Sequence, residues 1–235
     1  GSQAEAGGWL DGATIAFDWP VEAGRLYRGS VAEREFVAWV ASSDKADPVF
    51  GKRLIELVRP RVAIVAGFGV GLDEGTPQGT IVIADRVRSE GGGVIRSAIG
   101  LEQAEDDPRR GIRYGLITTV SRPPAAGPER KSLHADSGAV LAEPDGAGHV
   151  ALLDRAGIPW LAVRIATEGV EDAPSLQLRA LLDQATLSGK IGAAVGSLWQ
   201  EPKSAKELWR IQEDALRAGD RLGKSLRWLV GSLPT

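Results

Sequence analysis

Four nearly continuous apolar runs limit the folds that this chain can adopt. Each is short and shows little alternation between apolar and polar residues: RVAIVAG (61–67), TIVIAD (80–85), GLITTV (115–120) and WLAVRIA (160–166). Such runs are typical of strands that are covered on both faces. The stretch GHVALLDRAG (148–157) is predicted to be a helix that ends at its glycine. Strands that alternate with helices predict an α/β fold, a three-layer α/β/α sandwich with a central mixed sheet.

Two more strands are predicted near the start of the sequence, at ATIAFDW (13–19) and FVAWV (36–40). Asp47 followed by Pro48 is typical of a helix start, with Asp47 as the N-cap and Pro48 at the first helical position. Residues 1–8, GSQAEAGG, are small and polar, and we expect them to be a disordered tail or a tag remnant.

The last third of the chain is predicted to be helical. Ser204 and Glu207 have the spacing of a capping box, and apolar residues then recur every three or four positions from Leu208 to Leu229. We expect this helix to pack on its own domain, because the run is too short for several clean heptads of a coiled coil. The chain length of 235 residues fits one domain, which we predict at 9–235.

The composition excludes several kinds of chemistry. The chain has no Cys, which excludes disulfides, thiol catalysis and thiolate metal sites, and its two His argue against a histidine metal site. A net charge of −3 gives no reason to expect nucleic acid as a partner. No apolar run reaches the roughly 20 residues that span a membrane. We therefore expect a cytoplasmic protein with no metal, no nucleic-acid partner and no membrane span.

A glycine-rich segment, GFGVGLDEG (67–75), follows the first buried run. Glycines permit positive φ angles and a close approach of ligand to backbone. We therefore predict a turn that either lies beside a ligand or is purely structural. The dinucleotide-binding pattern is a weaker interpretation, because it needs a third glycine that opens a helix. Here Leu72 and Asp73 lead instead into a polar turn and another strand.

Three carboxylates lie at the ends of predicted elements. Glu22 comes after the first strand, Asp145 just before a helix, and Glu168 after the last buried strand. Because ligands of open α/β sheets bind beyond the carboxyl ends of the strands, we expect these acids to converge on one cleft. For any one of them alone, a solvated loop acid is the simpler interpretation.

Other polar motifs are less informative. His149 is interpreted as a partly exposed histidine at the start of a helix, and His134 as part of a polar loop. A serine nucleophile elbow, G-x-S-x-G, does not occur. The Pro-rich stretch SRPPAAGPERK (121–131) is predicted to be either a connector or a lid beside the cleft.

The order of these motifs resembles that of the methylthioadenosine/S-adenosylhomocysteine nucleosidases and the hopanoid-associated phosphorylases. The resemblance is carried by TIVIADRV, GLITTV, GAVLAEPDGAGHVALLDRAGIPWLAVRIATEG and the helical tail, and it covers most of residues 11–230. It implies a phosphorylase/hydrolase-like fold and cleavage of the N-glycosidic bond of a purine nucleoside. It also implies a homodimer and no cofactor, with phosphate as an optional co-substrate.

The resemblance assigns roles to particular residues. Glu22 would assist the attacking water or phosphate, and Glu168 would protonate the purine. Asp145, with Glu143, would bind the ribose hydroxyls. The other substrate-binding positions that the resemblance implies are Gly67, Phe68, Gly69, Gly71 and Thr167.

The chain departs from the family pattern at several of these positions. Pro144 replaces a methionine, Asp145 is one methylene shorter than the family's glutamate, and Glu168 is one methylene longer than the family's aspartate. Segment 41–47 lacks the glycines that usually touch the nucleophile site. Because a shift of about 1 Å in a catalytic group can cost about 10²-fold in rate, these changes bear directly on activity.

Three hypotheses follow from these departures. The first is an active nucleosidase or phosphorylase for a 5′-modified adenosine such as methylthioadenosine, S-adenosylhomocysteine or adenosylhopane. The second is a catalytically impaired relative that binds a nucleoside or acts as an interaction scaffold. The third is an unrelated doubly wound enzyme with a nucleotide cofactor.

Overall fold

A computed structural model describes residues 8–21, 24–41, 48–172 and 202–233, the last range with side chains from residue 213 onward. The strands in these ranges are β1 Thr14–Val21, β2 Gly24–Val31, β3 Arg34–Ala41, β4 Ala63–Gly71, β5 Ile81–Ala84, β6 Arg86–Arg88, β7 Val94–Arg96, β8 Ile112–Tyr114, β9 Ile117–Thr119, β10 Leu141–Glu143 and β11 Trp160–Glu168. The longer helices are α1 Pro48–Val58, α2 Pro128–Ser137, α3 Gly146–Arg155 and α4 Pro202–Ser232.

The central sheet has eight strands in the order β7-β6-β9-β10-β4-β11-β5-β8. It is mixed: β4 pairs parallel with β11 and antiparallel with β10, while β10 pairs parallel with β9. The long apolar runs form its centre, where β4 and β11 align over their whole lengths. This arrangement confirms the predicted α/β fold with a central mixed sheet.

Helices cover both faces of the sheet. Strand β11 contacts both helix layers, because its successive residues point to opposite sides. On one face, Trp160 and Ala162 pack with Val150 and Leu153 of α3. On the other face, leucines of α4 pack against the alternate residues of the same strand: Leu222, Leu226 and Leu229 against Leu161, Val163 and Ile165. Each fully buried aliphatic side chain stabilises the fold by about 1.5–3 kcal/mol. The predicted three layers are therefore present.

The long C-terminal helix packs on its own sheet, as expected, through the leucines at 222, 226 and 229. The prediction of its start was wrong. The helix begins at Pro202, so Ser204 lies within it rather than at the N-cap. Proline at the start of a helix costs nothing there, since that position has no intrahelical acceptor for an N–H. No helix within the described residues is long and apolar enough to cross a membrane.

The first three strands form a separate antiparallel sheet, β1-β2-β3. The strands predicted at 13–19 and 36–40 are present, but β2 between them was missed because Gly24 and Gly29 weaken the apolar pattern. Gly29 is required by close packing: a Cβ there would lie 2.2 Å from the carbonyl oxygen of Thr14. Strand β2 packs against α4.

The first half of the glycine-rich segment is a strand rather than the predicted turn, since β4 continues through GFGVG to Gly71; the turn follows at 73–76, where the N–H of Thr76 donates to the carbonyl of Asp73. Two glycines of this stretch have neighbours too close for a side chain. A Cβ on Gly69 would lie 2.8 Å from the carbonyl oxygen of Ala142, and a Cβ on Gly71 would lie 2.1 Å from that of Thr76. These residues therefore let β10 and the following loop approach the backbone of β4.

Candidate functional site

A buried ion pair lies at the centre of the sheet. Arg164, in the middle of β11, donates to Glu143, the last residue of β10, with an Nη2–Oε2 distance of 3.1 Å. Their side chains are 2% and 0% exposed. Strand β4 runs between the two, and the residue of β4 opposite Arg164 is Gly67. Because Gly67 has no side chain, the guanidinium can cross β4 to reach the carboxylate.

Both oxygens of Glu143 are fully occupied. They accept hydrogen bonds from the backbone N–H of Gly146, at 2.9 and 2.7 Å, from the N–H of Asp145 and from the hydroxyl of Thr119. Burial opposes ionisation of Glu143, but Arg164 and these donors outweigh it and hold its pKa below the usual value. Glu143 therefore holds the start of α3 in place, and its predicted contact with substrate stays a prediction.

Asp145 occupies the N-cap position of α3, but its side chain makes no capping hydrogen bond: the N–H of Ala147 donates to the hydroxyl of Thr119 and the N–H of Gly148 to the backbone oxygen of Asp145. Its carboxylate is 27% exposed and lies 3.9 Å from Arg164. Burial raises the pKa of Asp145 to about 6; the charge of Arg164 opposes this shift and that of Glu143 adds to it. The carboxyl group of Asp145 is therefore partly exposed beside Arg164, and its predicted contact with a substrate stays a prediction.

His149 lies one turn further along α3. Its Nδ1 is 3.2 Å from the backbone oxygen of Asp145, and burial and the charge of Arg164 lower its pKa, which favours the neutral ring. The ring centroid lies 6.3 Å from that of Trp39, which also contacts Phe50 at 4.9 Å. The interpretation of His149 as a partly exposed histidine at the start of a helix is confirmed; its proximity to Asp145 was not inferred, although a spacing of four residues puts both on one side of α3.

Glu168 ends β11 after an irregularity in the pairing with β4. Its carboxylate is 30% exposed and accepts a hydrogen bond from Arg130, a buried residue of α2. The neighbouring Thr167 donates from its hydroxyl to the carbonyl oxygen of Gly69 at 3.1 Å. The hydrogen bond to Gly69 therefore holds the hydroxyl of Thr167, and Arg130 of α2 holds the carboxylate of Glu168.

Asp145 and Glu168 do not lie beyond a common sheet edge, since β10 and β11 run in opposite directions. That part of the prediction was wrong. Register aligns Glu168 with Ala142, since Val70 of β4 pairs with both, and Asp145 lies three residues beyond Ala142 in the direction of Arg164. Two strand spacings, about 10 Å, separate Glu168 from the end of β10.

The other predicted site residues are divided between the two faces of β4. Gly67 and Gly69 are opposite Arg164 and Ala166, on the side of the sheet that α3 covers. Phe68 packs on the opposite side, in the cluster around α4. Glu22, the predicted partner of the nucleophile, lies outside the described residues.

Comparison with solved structures gives matches along nearly the whole chain. A mutant Helicobacter pylori 5′-methylthioadenosine/S-adenosylhomocysteine nucleosidase with 5′-methylthioadenosine in its active site has a TM-score of 0.71 at 12% identity, with 99% of this chain and 96% of that chain covered. A mutant futalosine hydrolase from the same organism has a TM-score of 0.68 at 11% identity, covering 99% and 96%. The Arabidopsis thaliana 5′-methylthioadenosine nucleosidase has a TM-score of 0.65 at 15% identity, covering 99% and 93%.

No family model and no curated protein matches the sequence. At these identities, the structural matches show the fold alone. The chain therefore has the fold of these nucleosidases and of futalosine hydrolase, the fold that the resemblance of its motifs implied.

Proposed function

We propose that this protein cleaves the N-glycosidic bond of a purine nucleoside. The observation that supports this most directly is the use of Glu143, rather than Asp145, to bind the start of α3. The Asp145 carboxyl group does not bind the helix start, and it is partly exposed on the side of the sheet that Arg164 occupies. A family residue in the same motif position binds the ribose, and the contacts of Asp145 fit that role.

Asp145 holds the ribose hydroxyls in this proposal. Above its pKa of about 6 it is a carboxylate, and it accepts charge-assisted hydrogen bonds from two neighbouring hydroxyl groups. Arg164 is close enough to favour this charge but remains engaged with Glu143. As the bond to the base breaks, positive charge develops on the ribose, and an adjacent carboxylate stabilises that charge.

Glu168 contacts the purine and Glu22 activates water or phosphate. Protonation of the base makes it a better leaving group, and a group that donates this proton must carry it before the bond breaks. The role of Glu22 rests on its position after the first strand of the sequence.

The substrate class is a 5′-modified adenosine such as methylthioadenosine, S-adenosylhomocysteine or adenosylhopane. An aromatic surface next to His149 supports an apolar 5′ group. Trp39, Leu26 and Trp19 pair directly across the β1-β2-β3 sheet and therefore point to one side of it. Trp19 is 66% exposed. The expected homodimer and cytoplasmic location belong to the same proposal.

A second candidate function is binding of a nucleoside without turnover. One contact favours it: Glu168 already has Arg130 as a cationic partner, and a proton donor to the base has to share or break that contact. A relative that keeps the fold and loses the acid would still hold a ribose through Asp145.

The two functions are separated by measuring adenine release. The protein is incubated at high concentration with methylthioadenosine, S-adenosylhomocysteine, adenosine and adenosylhopane, with and without phosphate, and adenine is measured by chromatography. We expect release that Asp145→Asn abolishes and that Asp154→Asn, an exposed acid of the same helix, leaves unchanged. Absence of adenine release from all four nucleosides refutes the proposed enzymatic activity. Calorimetric binding of adenine or a nucleoside in that case supports the second function.

A further inference from the structure

Arg130 is a buried cation outside the Glu143–Arg164 pair. Its side chain is 2% exposed, although it belongs to α2, a short helix near the surface. Every guanidinium nitrogen has an acceptor: Nε donates to the carbonyl of Pro124 at 3.2 Å, Nη1 to the carbonyls of Gly169 and Asp172, and Nη2 to the carboxylate of Glu168. A charge buried this deeply is tolerated only when its donors are satisfied in this way.

These acceptors come from segments that are distant in sequence but meet at the end of β11. The backbone N–H of Gly127, just before α2, also donates to the carbonyl of Val170 at 2.7 Å. Within the turn, the N–H of Gly169 donates to the side chain of Asp172 at 2.7 Å. The backbone segments that accept hydrogen bonds from Arg130 are therefore held together by other hydrogen bonds that do not involve Arg130. Only the Nη2 contact of Arg130 reaches a side chain.

We propose that Arg130 is a positioning residue: it holds Oε2 of Glu168, and the second carboxyl oxygen contacts the base, so the carboxyl group is shared between the two. The inference rests on the proposed function, in which Glu168 is the group at the purine. Glu168 is the last residue of its strand and is partly exposed, so without a partner its side chain would sample several rotamers. A planar guanidinium with three backbone anchors holds one carboxylate oxygen in a single place.

A purely structural role makes a different prediction, because the backbone contacts of Arg130 would then matter as much as the contact with Glu168. The two roles are separated by a double-mutant cycle of Arg130→Gln and Glu168→Gln, with the best substrate among methylthioadenosine, S-adenosylhomocysteine and adenosine. We expect Arg130→Gln alone to lower kcat about 100-fold, with a smaller change in KM. In the Glu168→Gln background it changes kcat by no more than about 2-fold.

Lys131→Gln is the matched control. Lys131 is the next residue of the same helix and pairs with Glu171 of the same turn at 2.6 Å, but both side chains are more than half exposed. We expect this variant to retain wild-type kcat. Arg130→Lys keeps the charge without the planar fork, and we expect it to restore part of the kcat that Arg130→Gln loses.

The outcomes distinguish this inference from the proposed function. Wild-type turnover with additive losses in the double variant overturns the positioning role and leaves the proposed function intact. If the wild type binds adenine without turnover, the same cycle is measured on the adenine dissociation constant, where additivity again overturns the inference. Absence of both turnover and binding overturns the proposed function, and the positioning role with it.

Discussion

Gly146 lies directly against the carboxylate of Glu143. Its N–H donates to both carboxylate oxygens, and a Cβ at this position would lie 2.7 Å from Oε1 and 2.8 Å from Nη2 of Arg164. The first residue of α3 is therefore a glycine because the buried ion pair occupies the space that a side chain would need.

Gly146→Ala is expected to destabilise the protein despite the higher helix propensity of alanine. The added methyl group has to displace one partner of a buried pair, and overpacking of this kind costs about 1–3 kcal/mol. Urea unfolding measures the change. Gly148→Ala is the control, since a Cβ at Gly148 meets no atom within 4 Å. That variant is expected to gain about 0.5–1 kcal/mol; equal effects of the two substitutions would contradict the interpretation.

Arg164→Met is expected to lower the free energy of unfolding by about 3–5 kcal/mol, because it leaves the carboxylate of Glu143 buried without a cation. Replacement of both residues, as Arg164→Met with Glu143→Met, should recover part of this loss. Chemical denaturation at pH 7 provides the measurement. Arg155→Met, an exposed arginine at the end of α3, should stay within about 0.5 kcal/mol of the wild type. A double variant less stable than Arg164→Met would argue against the ion pair as the cause.

Asp145 makes the stability depend on pH. Its pKa is raised from 3.8 to about 6, chiefly by burial, so the folded protein binds a proton more tightly than the unfolded chain. The stabilisation from this proton is complete below about pH 4 and is lost as the pH rises through about 6. Its size is at most about 3 kcal/mol. Glu143, with a lowered pKa, acts in the opposite sense at more acidic pH.

The contribution of Asp145 is isolated by comparing the wild type with Asp145→Asn in urea unfolding at several pH values. Between pH 4 and pH 7, the wild type should lose stability relative to the variant. Asp154→Asn, which removes an exposed acid, should follow the wild-type curve. Parallel curves for wild type and Asp145→Asn would show that the proton is not bound there.

Trp19→Ser should affect the substrate preference more than the stability, because the indole ring is largely exposed. If the aromatic surface receives an apolar 5′ group, KM for such a nucleoside rises about 10-fold, since a buried aromatic contact contributes about 1.5–3 kcal/mol. KM for adenosine itself stays unchanged. Leu57→Ser, at an apolar residue of α1 that is 82% exposed, serves as the control. A similar rise in KM for both nucleosides would contradict the proposed subsite.

The parts of the fold that depend on local pattern could be predicted from the sequence. Buried strands at the centre of the sheet and the helix after Asp145 follow from apolar runs and a turn, which need no knowledge of distant residues. Three-residue strands such as β10 could not be found, because they exist only through pairing with β4 and β9. The glycine-rich part of β4 was misassigned for the same reason, since glycine there reflects the approach of a neighbouring strand.

The candidate site was predicted in part. Asp145 and Glu168 were selected from their positions at the ends of elements, while their cationic partners, Arg164 and Arg130, were missed. Arg164 did leave a signal: it is the one charged residue in WLAVRIA, and a charge inside a buried run has to be paired. Arg130 left none, because it lies in a polar helix whose pattern gives no sign of burial.

Strand β4 has consequences for synthesis of the protein. It is made early, yet its neighbours β10 and β11 come roughly 70 and 100 residues later in the chain. While the ribosome is still adding those residues, β4 has two open edges, and Glu143 emerges before its cation at Arg164. Pairing over such long sequence separations is slow and leaves strand edges available to other chains. Both edges of β4 therefore stay without their final partners until β11 has left the exit tunnel.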